Sequence, residues 1–255
     1  MENKQLVGEV FTTRSWGDLQ IIAYNGNRKV LVKFIQTGYE VVTSLCSIRK
    51  GCVRDRLLPS VHGVGIVGAE PIVDANGKKL KEYELWCSML QRVYDPKKHV
   101  ELPTYKHCEV SDNFKYFPYF KDWCSKQIGF NSFCSDGLPY ALDKDLLVKW
   151  NKVYSEDTCV FLPHKLNTIL IKCDGSRGSN LIGVYHNKSK NIYTSSIRLN
   201  MKQKSLGIFK TEIEAFLAYK EAKESYIKDV TKTYKNQISE KAYYALMSYS
   251  VDISD

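Results

Sequence analysis

The chain has 255 residues, 37 Lys and Arg against 28 Asp and Glu, a formal charge of +9 and 44% hydrophobic residues. That length suits two or three small modules, and that apolar content supports packed cores, which excludes a broadly disordered chain. The basic balance points to a polyanionic partner, nucleic acid first, and no run approaches about 20 apolar residues, so no membrane span is expected.

The opening "MENKQLVGEV" lacks an apolar stretch after its charges, so no secretory leader is expected. Residues 6–50 then read as short strands: "LVGEVFTT", "LQIIAY", "RKVLVKFI" and "YEVVTS", divided by the turn compositions "SWGD", "NGN" and "QTG". Asn and Gly in "YNGNRK" tolerate the positive φ of a tight hairpin. Strands this close together predict a small SH3-like β-barrel over 1–62. "SIRKGCVRDRLLPS" is a basic exit that suits either a solvated face or a nucleic-acid contact.

"GVGIVGAEPIVDANGKK" (63–79) holds neither a P-loop pattern nor a strand–GxGxxG–helix context, so it reads as connector. A helix begins near residue 80, with Tyr83, Trp86, Leu90 and Val93 at helical spacing as a buried stripe. Phe114, Phe117, Phe120 and Trp123 recur every three residues, which suits a short helical segment kinked around Pro118 and packed into a core; stacking on bases is the competing reading. The eight Cys lie far apart without CxxC pairs, as in a cytoplasmic protein with reduced, packed thiols. A structural zinc site would draw on His107, Cys108, Cys124 and Cys134, whose spacing departs from that of zinc ligands.

"KCDGSRGSN" (172–180) reads as a linker. Three strands follow, "LIGVYHN", "IYTSSIRLN" and "KQKSLGIF", with turns at "NKSKN" and "NMK". A helix comes next, capped by Thr211 with Glu214 at the capping-box position and an apolar stripe of Ile213, Phe216, Leu217 and Tyr219–Ala222.

The stretch 182–228 resembles an AP2-type DNA-binding domain. The marks are Gly183-Val184, Ile197-Arg198, the block "LGIFKT" (206–211), Glu214-Ala215 and Ala218-Tyr219. The resemblance implies that the sheet lies in the major groove, whose base pairs present distinct donor and acceptor patterns. Alternation sets Val184, Ile197 and Leu206 against the helix. Tyr185, Asn187, Ser196, Arg198, Gln203 and Ser205 then point outward, with Lys188, Lys190 and Lys202 near the turns. Arg198 suits a bidentate guanine contact and the lysines suit phosphates. The family's Trp and Arg-rich reading positions are largely Tyr, Asn and Ser in this chain.

Between residues 141 and 167, "ALDKDLL" reads as a strand, "KWNKVYSED" as a loop, "TCVFLP" as a second strand and "HKLNTIL" as a helix with Pro163 at its start. This order resembles a His-Me finger, and with "YKHCEV" upstream it resembles phage HNH and homing-endonuclease relatives that carry a C-terminal AP2 domain. Residues 80–235 carry the resemblance. It implies one divalent ion, Mg²⁺ or Mn²⁺, held by Asp145 and Asn167, with Asp143, Lys144, Asn151 and His164 as catalytic candidates. Asp143 or Lys144 falls where the family keeps its general-base histidine; His107 or His164 takes that role only if folding brings one within reach. Each candidate also has a plain structural role: the aspartates pair with lysines or cap turns, and Asn151 holds a turn.

The expected fold class is therefore α+β and multidomain: a small β-barrel at 1–62, a ββα module at 80–171, and a three-stranded sheet plus helix with further C-terminal helices at 180–255. Two functions stay open. One is metal-dependent nicking or cleavage of duplex DNA, by a phage-encoded protein in the cytoplasm of an infected cell. The other is a catalytically degenerate relative that binds DNA or a host protein without cutting.

Overall fold

The computed structural model describes residues 6–171, 180–200 and 202–255. The linker expected at 172–180 lies almost wholly outside the described residues. The fold is mixed α and β, and no barrel closes among the described residues. Its strands are β1 (Val10–Thr12), β2 (Asp18–Tyr24), β3 (Val30–Phe34), β4 (Glu40–Thr43), β5 (Pro59–Val61), β6 (Gly65–Ile66), β7 (Glu109–Val110), β8 (Ala141–Asp143), β9 (Val153–Tyr154), β10 (Val160–Leu162), β11 (Val184–Asn187), β12 (Ile192–Leu199) and β13 (Lys202–Phe209). Its helices are α1 (Leu45–Arg49), α2 (Lys81–Tyr94), α3 (Pro96–Glu101), α4 (Asp112–Lys115), α5 (Phe117–Ser125), α6 (His164–Ile169), α7 (Glu212–Thr233) and α8 (Glu240–Met247). No helix among the described residues is long and apolar enough to cross a membrane.

The described residues form two compact units, Met1–Cys124 with Lys152–Ser155, and Ser125–Asn151 with Glu156–Asp255. In the first unit the expected barrel is instead an open antiparallel sheet in the order β1-β2-β3-β4. β1 is only three residues long, and β4 runs into α1 rather than into a closing strand. The Ser44 side chain accepts from Ser47 N at 3.1 Å and starts that helix. Leu19, Ile21, Val30, Val32 and Phe34 alternate inward and are buried together with Leu45 and Ile48 of α1.

Farther along this unit, α2 buries Trp86, Met89, Leu90 and Val93, which meets the expected stripe, while Tyr83 is half-buried. The connector at 63–79 has structure of its own. A Cβ on Gly65 would come within 2.5 Å of Leu90 and 2.8 Å of Trp86, so glycine lets this backbone lie directly on α2. Phe114, Phe117 and Phe120 are fully buried and Trp123 is 8% exposed. The helical run breaks at Tyr116, whose backbone is extended, and Pro118 falls in the first turn of the next helix, where its missing N–H is tolerated. With Phe114 edge-on to Phe120 at 5.0 Å, these rings serve the core and have no face open for bases.

In the second unit, β8 and β10 pair antiparallel with Asp143 opposite Val160, and α6 follows with Pro163 as its N-cap residue. Between β8 and β10 the chain contributes β9 to the first unit, where it pairs in parallel with β7. The three C-terminal strands form a sheet in the order β11-β12-β13. Asn191 (φ 50°) and Asn200 (φ 48°) take the left-handed conformation at its two turns. Thr211 Oγ1 accepts from Glu214 N at 3.2 Å, and Glu214 Oε2 accepts from Thr211 N at 3.1 Å, completing the expected capping box of α7.

Val184, Ile197 and Leu206 pack toward Ala215, Phe216 and Tyr219, as alternation predicts. The helical stripe departs from expectation, because Ile213 is 49% exposed and Leu217 53% exposed. The helix meets the sheet along Ala215, Phe216, Tyr219 and Ala222 instead. Gly183 (φ +77°) lies so close to this line that an added Cβ would sit 2.0 Å from the Tyr219 ring.

Candidate nucleic-acid interface and ββα site

The outer face of the C-terminal sheet is built by register. β12 pairs Thr194 with Tyr185 on one side and with Ile208 on the other, while Ser196 faces Ser205 and Arg198 faces Gln203. Tyr185 is 66% exposed and Ile208 68% exposed. Leu206 is an extra residue in β13: Ser195 pairs with Gly207, and Ser196 already pairs with Ser205. This bulge switches the side-chain alternation, turning Ile208 outward and Phe209 toward the helix. Strict alternation from Gln203 misses Ile208 on this face. The signal for it was Gly207 inside a strand, a residue that marks bulges.

The other expected contacts fall into two groups. Arg198, Lys188, Lys190 and Lys202 are exposed, and none enters an ion pair among the described residues. Three of the polar side chains are engaged locally. Asn187 Oδ1 accepts from Ser189 Oγ at 2.8 Å and from Lys190 N at 3.2 Å, so it holds the turn. Gln203 Nε2 donates to Ser196 Oγ at 2.8 Å, which fixes both side chains across the strands.

The ββα site is arranged differently. Asp143, at the end of β8, accepts through Oδ1 from the backbone N–H groups of Asp145 (2.9 Å) and Leu146 (2.8 Å). Burial pushes its carboxyl above the ordinary range; the Leu146 N–H opposes the rise and the neighbouring Asp145 charge adds to it. Lys144, which a surface reading would place in water, is 5% exposed. Its ammonium donates to the Asp145 carboxylate and, at 3.2 Å, to Asn151 O. Asn151 Nδ2 returns a bond to Lys144 O at 2.8 Å. Asp143, Lys144, Asp145 and Asn151 thus form one cluster that closes the loop after β8. Trp150, just before Asn151, holds φ at 68°. Lys149 donates to Ser250 O at 3.1 Å and pairs with the buried Asp255 at 3.2 Å.

His164 and Asn167 lie one turn apart on α6, which lies against β8. His164 is exposed. Its backbone N–H meets Cys134 Sγ at 3.4 Å, and its Nδ1 lies 3.4 Å from Thr168 Oγ1. Asn167 is half-buried. His107 is exposed and belongs to the first unit. Of the sulfurs considered for zinc, Cys108 and Cys124 are buried in the first unit and Cys134 is half-buried in the second. Among the described residues no three or more His, Cys, Asp or Glu side chains converge as a metal-ligand set. Asp145 offers an oxygen donor of the kind Mg²⁺ and Mn²⁺ take, but any ion there shares that carboxylate with the Lys144 ammonium.

No family model, curated protein or solved structure matches the chain.

Proposed function

We propose that this chain binds duplex DNA through the outer face of β11–β13. The observation that carries the reading is the set of exposed cations without ion-pair partners, Arg198, Lys188, Lys190 and Lys202, on or beside a twisted antiparallel ribbon. A ribbon of this size enters the major groove, where a guanidinium forks onto guanine O6 and N7 and ammonium groups meet phosphates. The AP2-type resemblance of 182–228 supports the same docking. In this reading the ββα module is a nuclease-type frame that binds without cutting. The Lys144–Asp145 pair favours it, since the carboxylate offered to a metal already carries an internal cation.

Cutting is the second reading, and the order β8, β10, α6 favours it, because Asp143, His164 and Asn167 fall on these elements, with Asp145 in the loop just after β8, as in a His-Me finger. Asp145 and Asn167 would hold the divalent ion, which supplies charge stabilisation at the leaving oxygen. Asp143 would take the proton of the attacking water, and Asn151 would keep the loop closed.

One pair of measurements tests both readings. Gel shifts on duplex DNA should show a complex that weakens steeply as salt rises, because neutralised phosphates release counterions; no complex at low salt ends the proposal. Supercoiled plasmid is then incubated with Mg²⁺ or Mn²⁺. Nicking that vanishes in EDTA and in Asp145→Ala assigns a nuclease, and none across metals assigns a binding factor. Equal nicking by wild type and Asp145→Ala means that Asp145 has no part in the reaction.

A further inference from the structure

The first unit holds a cavity of about 440 Å³, open to solvent, that the DNA-binding reading does not use. This volume lies within the roughly 300–1,000 Å³ usual for small-ligand sites. Its lining includes three aromatic rings among aliphatic and small polar side chains: Trp16 and Tyr39 from the N-terminal sheet region and Tyr83 from α2. Tyr39 is backed by Phe34 with ring centres 6.2 Å apart, and Tyr83 stands edge-on to Phe117 at 5.2 Å, so both rings are held in place. Burial, aided by Cys87, pushes the Tyr83 phenol up to about 12.

The cationic groups come from the segment after α1. Val53 and Asp55 are buried while Arg54 is exposed and Arg56 half-buried, and both arginines line the cavity. Arg56 is braced by a bond from Nη2 to Glu70 O at 2.5 Å, which leaves its other N–H donors available. Arg54 has no ion-pair partner among the described residues. The acid between them, Asp55, is 1% exposed. Its oxygens are taken by Thr37 Oγ1 at 2.5 Å and Leu57 N at 2.9 Å, so the carboxylate is held in the fold. Ser47 adds a hydroxyl to the lining.

Rigid aromatic faces suit a planar π-system, and a phosphate offers two guanidinium groups more acceptor oxygens and more negative charge than a single carboxylate does. We infer that this cavity binds a nucleoside phosphate, with its base against the rings and its phosphate on Arg54 and Arg56. The source is either a free mononucleotide or a nucleotide of a single strand, and the test separates the two.

Full-length protein is titrated calorimetrically with AMP, GMP and thymidine monophosphate, with adenosine, and with inorganic phosphate. Single-stranded trinucleotides are titrated in parallel in an Arg198→Ala background, which removes the sheet's best contact. Monophosphates should bind, and adenosine and inorganic phosphate should each bind about tenfold or more weakly, since each lacks half of the contacts. Arg54→Ala, at an exposed position, should keep the wild-type melting temperature and lose about tenfold in affinity; Trp16→Leu should also weaken binding. Trinucleotides saturating at lower concentration than monophosphates, with the same Arg54 dependence, assign a strand nucleotide; the reverse order assigns a free one. No binding of monophosphates or trinucleotides at millimolar concentration overturns the inference. So does equal binding by wild type and Arg54→Ala, or phosphate binding as tightly as AMP.

Discussion

The C-terminal sheet and the loop after β8 belong to one compact unit and draw on the same residue types, yet they handle charge in opposite ways. In the loop, Lys144 is buried on Asp145, and Lys149 pairs with Asp255. On the sheet, Arg198, Lys188, Lys190 and Lys202 stand exposed and enter no ion pair among the described residues. A cation already neutralised within the fold adds little to the attraction of a polyanion, whereas an exposed, unpaired one adds its full share of counterion release. Residue type alone therefore does not mark an interface; the partner a charge already has decides it.

The comparison breaks most completely if the sheet loses its support. Gly183→Ala sets a Cβ 2.0 Å from the Tyr219 ring at a backbone φ of +77°. Overpacking and left-handed strain together should cost about 3–4 kcal/mol. Thermal unfolding followed by circular dichroism should show a lowered midpoint, and duplex binding should fall with it. A near-wild-type midpoint would mean that α7 does not press on the sheet at this glycine. Next in size, Arg198→Ala should cost about 2 kcal/mol on the preferred duplex and much less on unrelated duplexes, the mark of a base contact. Competition gel shifts read the difference, and equal losses on both DNAs would reduce Arg198 to a phosphate contact.

How far these regions could be read in advance follows from how local their causes are. The strands from β1 to β4 and the inward set Val184, Ile197 and Leu206 come from side-chain alternation, and the capping box of α7 from four consecutive residues, so each was legible. The Leu206 bulge was not, and Ile208 on the outer face was missed with it. β9 was read as loop because its pairing with β7 joins segments far apart in the chain, which no local pattern records. The candidate residues after β8 were legible as a set, whereas the burial of Lys144 was not, since lysine is expected in water and acceptors such as Asp145 and Asn151 O are needed to hold it inside. The stripe of α7 was misread at Ile213 and Leu217 because the periodicity of a long helix leaves open which of its flanking apolar residues meet the sheet.

Lys144→Met sharpens the contrast from the other side. The substitution keeps most of the apolar stem but removes the bonds to Asp145 and to Asn151 O. The expected loss is about 1–2 kcal/mol of stability, measured by urea unfolding, with duplex affinity within about twofold of wild type. A large loss of DNA affinity with little loss of stability would show that Lys144 faces nucleic acid, and the loop and the sheet would then belong to one interface.

The smallest effect discriminates best. Lys188 sits in the turn between β11 and β12, exposed and without an ion pair among the described residues. If it neutralises one phosphate, Lys188→Ala should weaken preferred and unrelated duplexes alike. The plot of log affinity against log salt should become shallower by about 0.9, one counterion fewer released on binding. Lys149, already paired with Asp255 and bonded to Ser250 O, supplies the control within the same unit: Lys149→Ala should leave that slope unchanged. The comparison turns on the difference between the two slopes, because a change in overall fold stability would shift affinity without removing a counterion. Equal slopes for Lys188→Ala and wild type would remove this lysine from the interface. A reduced slope for Lys149→Ala would mean that its internal pair opens on DNA, and paired and unpaired cations would no longer be distinguishable by their contacts in the free protein.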